Sequence, residues 1–141
     1  MINPIGIIKR FFLSLLICSA SLAFSQVTVD NIEVIQASTD VVFQGDADQL
    51  LLRIRVITSG AGTIDVTRFR LRADGAAPNI ETDYPLTKVY YTGTSSTFST
   101  TTLFGSLATN QIGFNFNIGG TQTIPVGVSF FWVGVDIDAA A

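Results

Sequence analysis

The sequence predicts an all-β domain of short strands, and three observations carry that expectation. After Gln26 no stretch holds a helical apolar period over three turns. Two-residue alternation recurs along the chain, and turn-forming residues punctuate it about every 8 to 14 residues. Seven or eight short strands of this kind are expected to form a two-sheet antiparallel β-sandwich of Ig/fibronectin-like or jelly-roll-like type. A closed barrel is the alternative.

The chain opens on Lys9 and Arg10, then an apolar run from Phe11 to Phe24 broken only by Ser14, Ser19 and Ser21, with small residues at Ala23 and Ser25. This is the charged, apolar and small-residue pattern of a secretory signal peptide over residues 1–25, cut between Ser25 and Gln26. The run is shorter than the ~20 apolar residues a spanning helix needs. A lipoprotein reading of Cys18 fails on Ile17, which is bulky where a small residue is expected. Residues 26–141 are therefore expected to be one exported module, secreted, periplasmic or on the cell surface, with no membrane span after cleavage. The stop at Asp138-Ala139-Ala140-Ala141, directly behind a strand, predicts that the module is the front of a longer polypeptide.

Along the module, Val27, Val29, Ile32 and Val34 give a first extended segment with an irregularity at Asp30-Asn31. Val41-Val42-Phe43 reads as a short second strand before the turn at Gly45-Asp46-Ala47-Asp48. Leu50 to Thr58 alternates cleanly, with Leu50, Leu52, Ile54 and Val56 on one face and Leu51, Arg53, Arg55 and Ile57 on the other. Gly60-Ala61-Gly62 breaks the chain. Ile64 and Val66 then have one parity and Phe69 and Leu71 the other, which predicts a β-bulge near Thr67-Arg68. Asp74-Gly75 and Pro78-Asn79 mark a long loop, Lys88 to Tyr91 a strand, and Gly93 to Thr102 a Ser/Thr tract read as a loop or weak edge. Ile112, Phe114, Phe116 and Ile118 alternate with polar neighbours up to a turn at Gly119-Gly120. Val126 to Ile137 is apolar on both parities, as a central strand covered on both sides is. The expected core is Leu52, Ile54, Val56, Phe69, Leu71, Phe114, Phe116, Phe131 and Val133.

Composition narrows the chemistry. The chain has 141 residues, 48% hydrophobic and 13% charged, and no His. Ser-His-Asp, Cys-His and His-based zinc chemistry are excluded with it. Lys9 and Arg10 leave with the leader, so 6 of the 8 basic residues face 11 acidic ones and the net charge falls from −3 to −5. That balance argues against a nucleic-acid partner. Cys18, the one cysteine, leaves too. About 116 residues suffice to build a core without disulfide staples.

The order of the segments carries a resemblance. Leu50 to Val56, Thr67 to Leu71, Thr87-Lys88-Val89-Tyr90-Tyr91-Thr92-Gly93, Phe104-Gly105 and Gly127 to Ile137 resemble the N-terminal β-sandwich module of BNR-repeat neuraminidases and related secreted bacterial proteins. The resemblance covers nearly all of residues 27 to 138. It implies an accessory domain beside a downstream domain, and it does not imply catalysis by this piece. The Ser-x-Asp-x-Gly-x-x-Trp repeat of sialidase propellers is absent from the sequence.

Several constellations offer contacts. Arg68, Arg70 and Arg72 share one face of a strand and can hold an anionic sugar, or simply form a solvated face. Tyr90, Tyr91 and Trp132 can make an aromatic platform for sugar stacking, or serve as core and cross-strand pairs. Asp46 with Asp48, and Asp136 with Asp138, have a spacing that supplies two oxygens to Ca²⁺, without the further ligands of a calcium loop. The expected function is a non-catalytic accessory module serving as spacer, docking surface or weak glycan contact, with no cofactor. The alternative is a structural or adhesive subunit that shares strands. An enzyme pairing Asp46 with Asp136 is the remote third reading.

Overall fold

The computed structural model describes residues 26–72, 83–108 and 115–140. The expected leader, the loop around Asp74-Gly75 and Pro78-Asn79, and Ile112 and Phe114 lie outside the described residues. No helix among the described residues is long and apolar enough to cross a membrane.

The fold is all-β. Among the described residues five strands, β1 (Thr28–Gln36), β2 (Gln49–Arg72), β3 (Leu86–Tyr91), β4 (Leu103–Ala108) and β5 (Asn115–Asp136), form one antiparallel sheet in the order β1-β2-β5-β3-β4. The expectation of seven or eight strands differs from this because β2 and β5 each run through a break the sequence suggested. Val41-Val42-Phe43 is not a strand; these residues are exposed in the connection between β1 and β2.

The long β2–β5 ribbon doubles back on itself. Ile54 pairs with Phe131, and Phe69 pairs with Ile118. Ile54 and Phe69 would stand roughly 50 Å apart on a straight strand at about 3.3 Å per residue. Yet the rings of Phe69 and Phe131 have centroids 4.9 Å apart. The fold-back sits where the register shifts between Thr58 and Thr63. Gly60, Gly62 and Gly127 take φ of 101°, 99° and 115° there, a region in which only glycine is unstrained. Buried Thr58 replaces ladder bonds lost at the bend: its Oγ1 donates to the Pro125 carbonyl at 3.0 Å and accepts from the Gly127 N–H at 3.1 Å.

The core lies between the two halves of the doubled ribbon. Ile54, Val56, Val89, Phe104, Ile118, Ile124, Phe131 and Val133 are buried together, with Leu52, Phe69, Leu71 and Phe116 packed against them. Every expected core residue within the described residues is in this cluster. Phe131 is fully buried and meets Phe69, Tyr91 and Phe104. The two sequence-predicted irregularities are present, as register shifts between Val29 and Asn31 and between Val66 and Arg68. β5 is central, as its two apolar parities required.

Candidate functional site

Alternation along β2 gives the sheet two unlike faces. The inner face carries Ile54 and Val56. The outer face carries Arg53 and Arg55, opposite Trp132 and Phe130 of β5 and opposite Ile35 and Glu33 of β1.

On the outer face Tyr90 stands beside Trp132 in the β3–β5 register. The loop after β3 folds Phe98 over both rings, at 5.7 Å from Tyr90 and 5.8 Å from Trp132. Tyr90 and Trp132 are each 5% exposed, and the Trp132 Nε1–H donates to Thr92 Oγ1 at 2.9 Å. Tyr91 lies on the inner face against Phe131. The three expected aromatic contacts are thus split, two beneath a loop and one in the core. Arg68, Arg70 and Arg72 stand exposed along the end of β2, facing Gly119, Asn117 and Asn115 in register.

Beside the aromatic pair, Arg53 lies with its guanidinium 5.7 Å from the Phe130 ring centre and 5.9 Å from that of Trp132. Its Nε is buried and has no hydrogen-bond partner. Arg55 instead donates from Nη1 to Glu33 Oε2 at 2.9 Å. A shallow groove of about 470 Å³ opens in front of these residues, walled by Thr94, Ser96 and Phe130.

The described structure also assembles a charged clamp. Lys88 Nζ donates to Asp48 Oδ1 at 2.9 Å and to Asp136 Oδ1 at 2.8 Å, and the Tyr90 hydroxyl donates to Asp48. The Asp48 N–H, on a residue at φ 55°, donates to Asp136 Oδ1 at 2.9 Å. Burial pushes the Asp48 carboxyl up, but the bonds from Tyr90 and Lys88 and the lysine charge outweigh it, so its pKa lies below the ordinary value. Burial lowers Lys88, and its bonds to Asp136 and Asp48 more than reverse this, leaving it raised. Burial and the bond to Asp48 push Tyr90 up to about 12. The carboxylates weighed as calcium pairs are engaged otherwise: Asp48 and Asp136 hold the Lys88 ammonium, Asp46 accepts from the Phe43 N–H, and Asp138 accepts from the Ala140 N–H. Among the described residues no group of three or more His, Cys, Asp or Glu is placed to hold a metal.

The third feature is the β1 edge. β1 ends the sheet order, and all nine of its residues are exposed. Val29, Ile32 and Val34 pair with Thr58, Val56 and Ile54, which face the core, so their side chains continue the inner face. They remain 45%, 57% and 54% exposed. Behind them a cleft of about 370 Å³ runs between the two halves of the ribbon, floored by Ile64, Phe69, Leu71 and Ile124 and rimmed by Asp65, Arg68 and Arg70.

Sequence reasoning missed Arg53, the clamp and the open cleft. The clamp joins residues 40 and 48 positions apart, so no local spacing announces it. The alternation of β1 was legible, but whether a further strand covers it is a tertiary fact. No protein-family model matches the chain, and no characterised protein matches it.

Proposed function

We propose that the chain is a non-catalytic, sandwich-like β-module of an exported protein, and that it works by docking. Its β1 edge and the apolar cleft behind it receive an extended segment of neighbouring polypeptide. The observation that carries this reading is the half-exposed row Val29, Ile32 and Val34 on an edge strand, continuous with the core face. An edge of this kind offers unpaired N–H and C=O groups, and alternate pockets select the side chains of an added strand. The occupant is therefore a strand with apolar residues on the face that enters the cleft and polar residues on the other.

The resemblance to the accessory module of BNR-repeat neuraminidases supports the same reading, since such a module sits beside a downstream domain. The strand-sharing alternative differs only in who supplies the segment. A photo-crosslinking amino acid at position 32 of the exported protein tests the reading. Cross-links to an apolar-alternating segment outside residues 26–140 are expected. Cross-links to position 32 of a second copy would replace the neighbouring segment by self-association, and water-quenched probe alone would overturn docking at this edge.

A further inference from the structure

We infer that the outer face carries a binding site for a carboxylate group, centred on Arg53. The guanidinium lies over Phe130 and Trp132, 5.7 Å and 5.9 Å from the two ring centres, within cation–π range. Such contacts hold the charge beside the two rings and leave its N–H groups for an acceptor. Among the described residues none is provided: Nε is buried without a partner, and Arg53 forms no ion pair. A buried donor left unsatisfied is costly, so its persistence calls for an explanation. Arg55, two residues along the same face, shows the contrast, because it is already bonded to Glu33 at 2.9 Å.

The groove before Arg53 sorts the ligand. A guanidinium fork matches the two coplanar oxygens of a carboxylate, which it holds through paired hydrogen bonds. Thr94 and Ser96 add hydroxyls, and Phe130 adds an apolar wall. Glu33 is the acid lining the groove, and its charge is met by Arg55. The site lies on the face opposite the β1 cleft, so it stands or falls separately from the docking reading.

Trp132 is the one tryptophan of the chain and lies against the guanidinium, so its fluorescence reports on Arg53 directly. The chain is titrated with acetate, glucuronate and glucose at fixed ionic strength. Saturable change with both carboxylates, with a dissociation constant on the order of 1 mM, and none with glucose is expected. Tighter binding of glucuronate would assign the site to an acidic sugar, and equal binding to small carboxylates in general. Arg53→Gln should weaken binding at least tenfold, and Arg53→Lys, which keeps charge and loses the fork, severalfold. Glu33→Gln should strengthen it, and Arg70→Gln, on the far end of β2, should leave it unchanged. Amide NMR spectra check that each variant keeps the fold. No saturable change, an equal response to glucose, or full binding by a folded Arg53→Lys and Arg53→Gln pair would overturn the site.

Discussion

The two edges of the sheet have opposite treatments. β4 is pressed against the start of β5: a Cβ built on Gly105 would collide with the Gly119 carbonyl, and one on Gly120 with the Phe104 carbonyl. Between these glycines Phe104 turns inward, 7% exposed, its ring 5.1 Å from Phe69 and 5.7 Å from Phe131. β1 has no such glycines in its strand and no aromatic anchor, and its apolar row faces solvent. Folding one sheet over itself thus closes the side where backbones can touch and an aromatic ring fills the angle. The other side stays open. The sharpest test is Phe104→Ala, which should cost about 3–5 kcal/mol, measured by urea unfolding. A loss below about 1 kcal/mol would show that β4 does not close the core.

Much of this contrast was legible strand by strand, and its cause was not. The phase change from Ile64 and Val66 to Phe69 and Leu71 located the bulge between Val66 and Arg68, because one extra residue alone keeps all four inward. Val126 to Ile137, apolar on both parities, read correctly as central. Gly60-Ala61-Gly62 and Gly119-Gly120 read as strand ends, since a glycine pair marks a turn, a bend or a close backbone approach with the same letters. Contacts between the two halves, such as that of Phe69 with Phe131, distinguish a bent ribbon from two strands. Val41-Val42-Phe43 has strand-like residues but no partner strand among the described residues, and composition alone does not supply one. Tyr90 and Trp132 were legible as aromatic neighbours, whereas Phe98 above them depends on a loop path.

The clamp lies on the closed half, where Lys88 of β3 ties the start of β2 to the end of β5. Lys88→Met would leave Asp48 and Asp136 facing each other without their shared cation. A cost of about 1.5–3 kcal/mol is expected from the lost charged hydrogen bonds. Asp48 has a folded pKa below its unfolded one, so its contribution is present above roughly pH 4 and fades as pH falls through the folded value. Tyr90, raised to about 12, has the opposite sign: its contribution is full below pH 10 and disappears as pH rises toward that value. Melting temperature should therefore decline on both flanks, and Lys88→Met should flatten the acid one. An acid flank of the same steepness in Lys88→Met would remove the clamp from the account.

Adjacent glycines sharpen the closed edge further. Gly120→Ala places a methyl into the Phe104 carbonyl and should cost about 1–3 kcal/mol through a forced backbone shift. Gly119→Ala meets nothing within 4 Å and should stay within about 0.5 kcal/mol. Equal unfolding midpoints for the two variants would mean that β4 and β5 are farther apart than described.

The open edge should give the smallest stability effect and the clearest effect on association. Ile32 is 57% exposed, so Ile32→Lys removes little buried apolar surface and should change unfolding free energy by about 0.5 kcal/mol or less. Its position opposite Val56 nevertheless places the new ammonium on the core-facing parity, at the mouth of the cleft. An inward-pointing charge on an edge strand opposes the addition of another strand. The variant should therefore keep its melting temperature and lose the cross-links that a probe at position 34 makes in the parent. A loss of stability comparable to that of Phe104→Ala would show instead that the β1 row is already covered within this chain, and the contrast between the two edges would disappear.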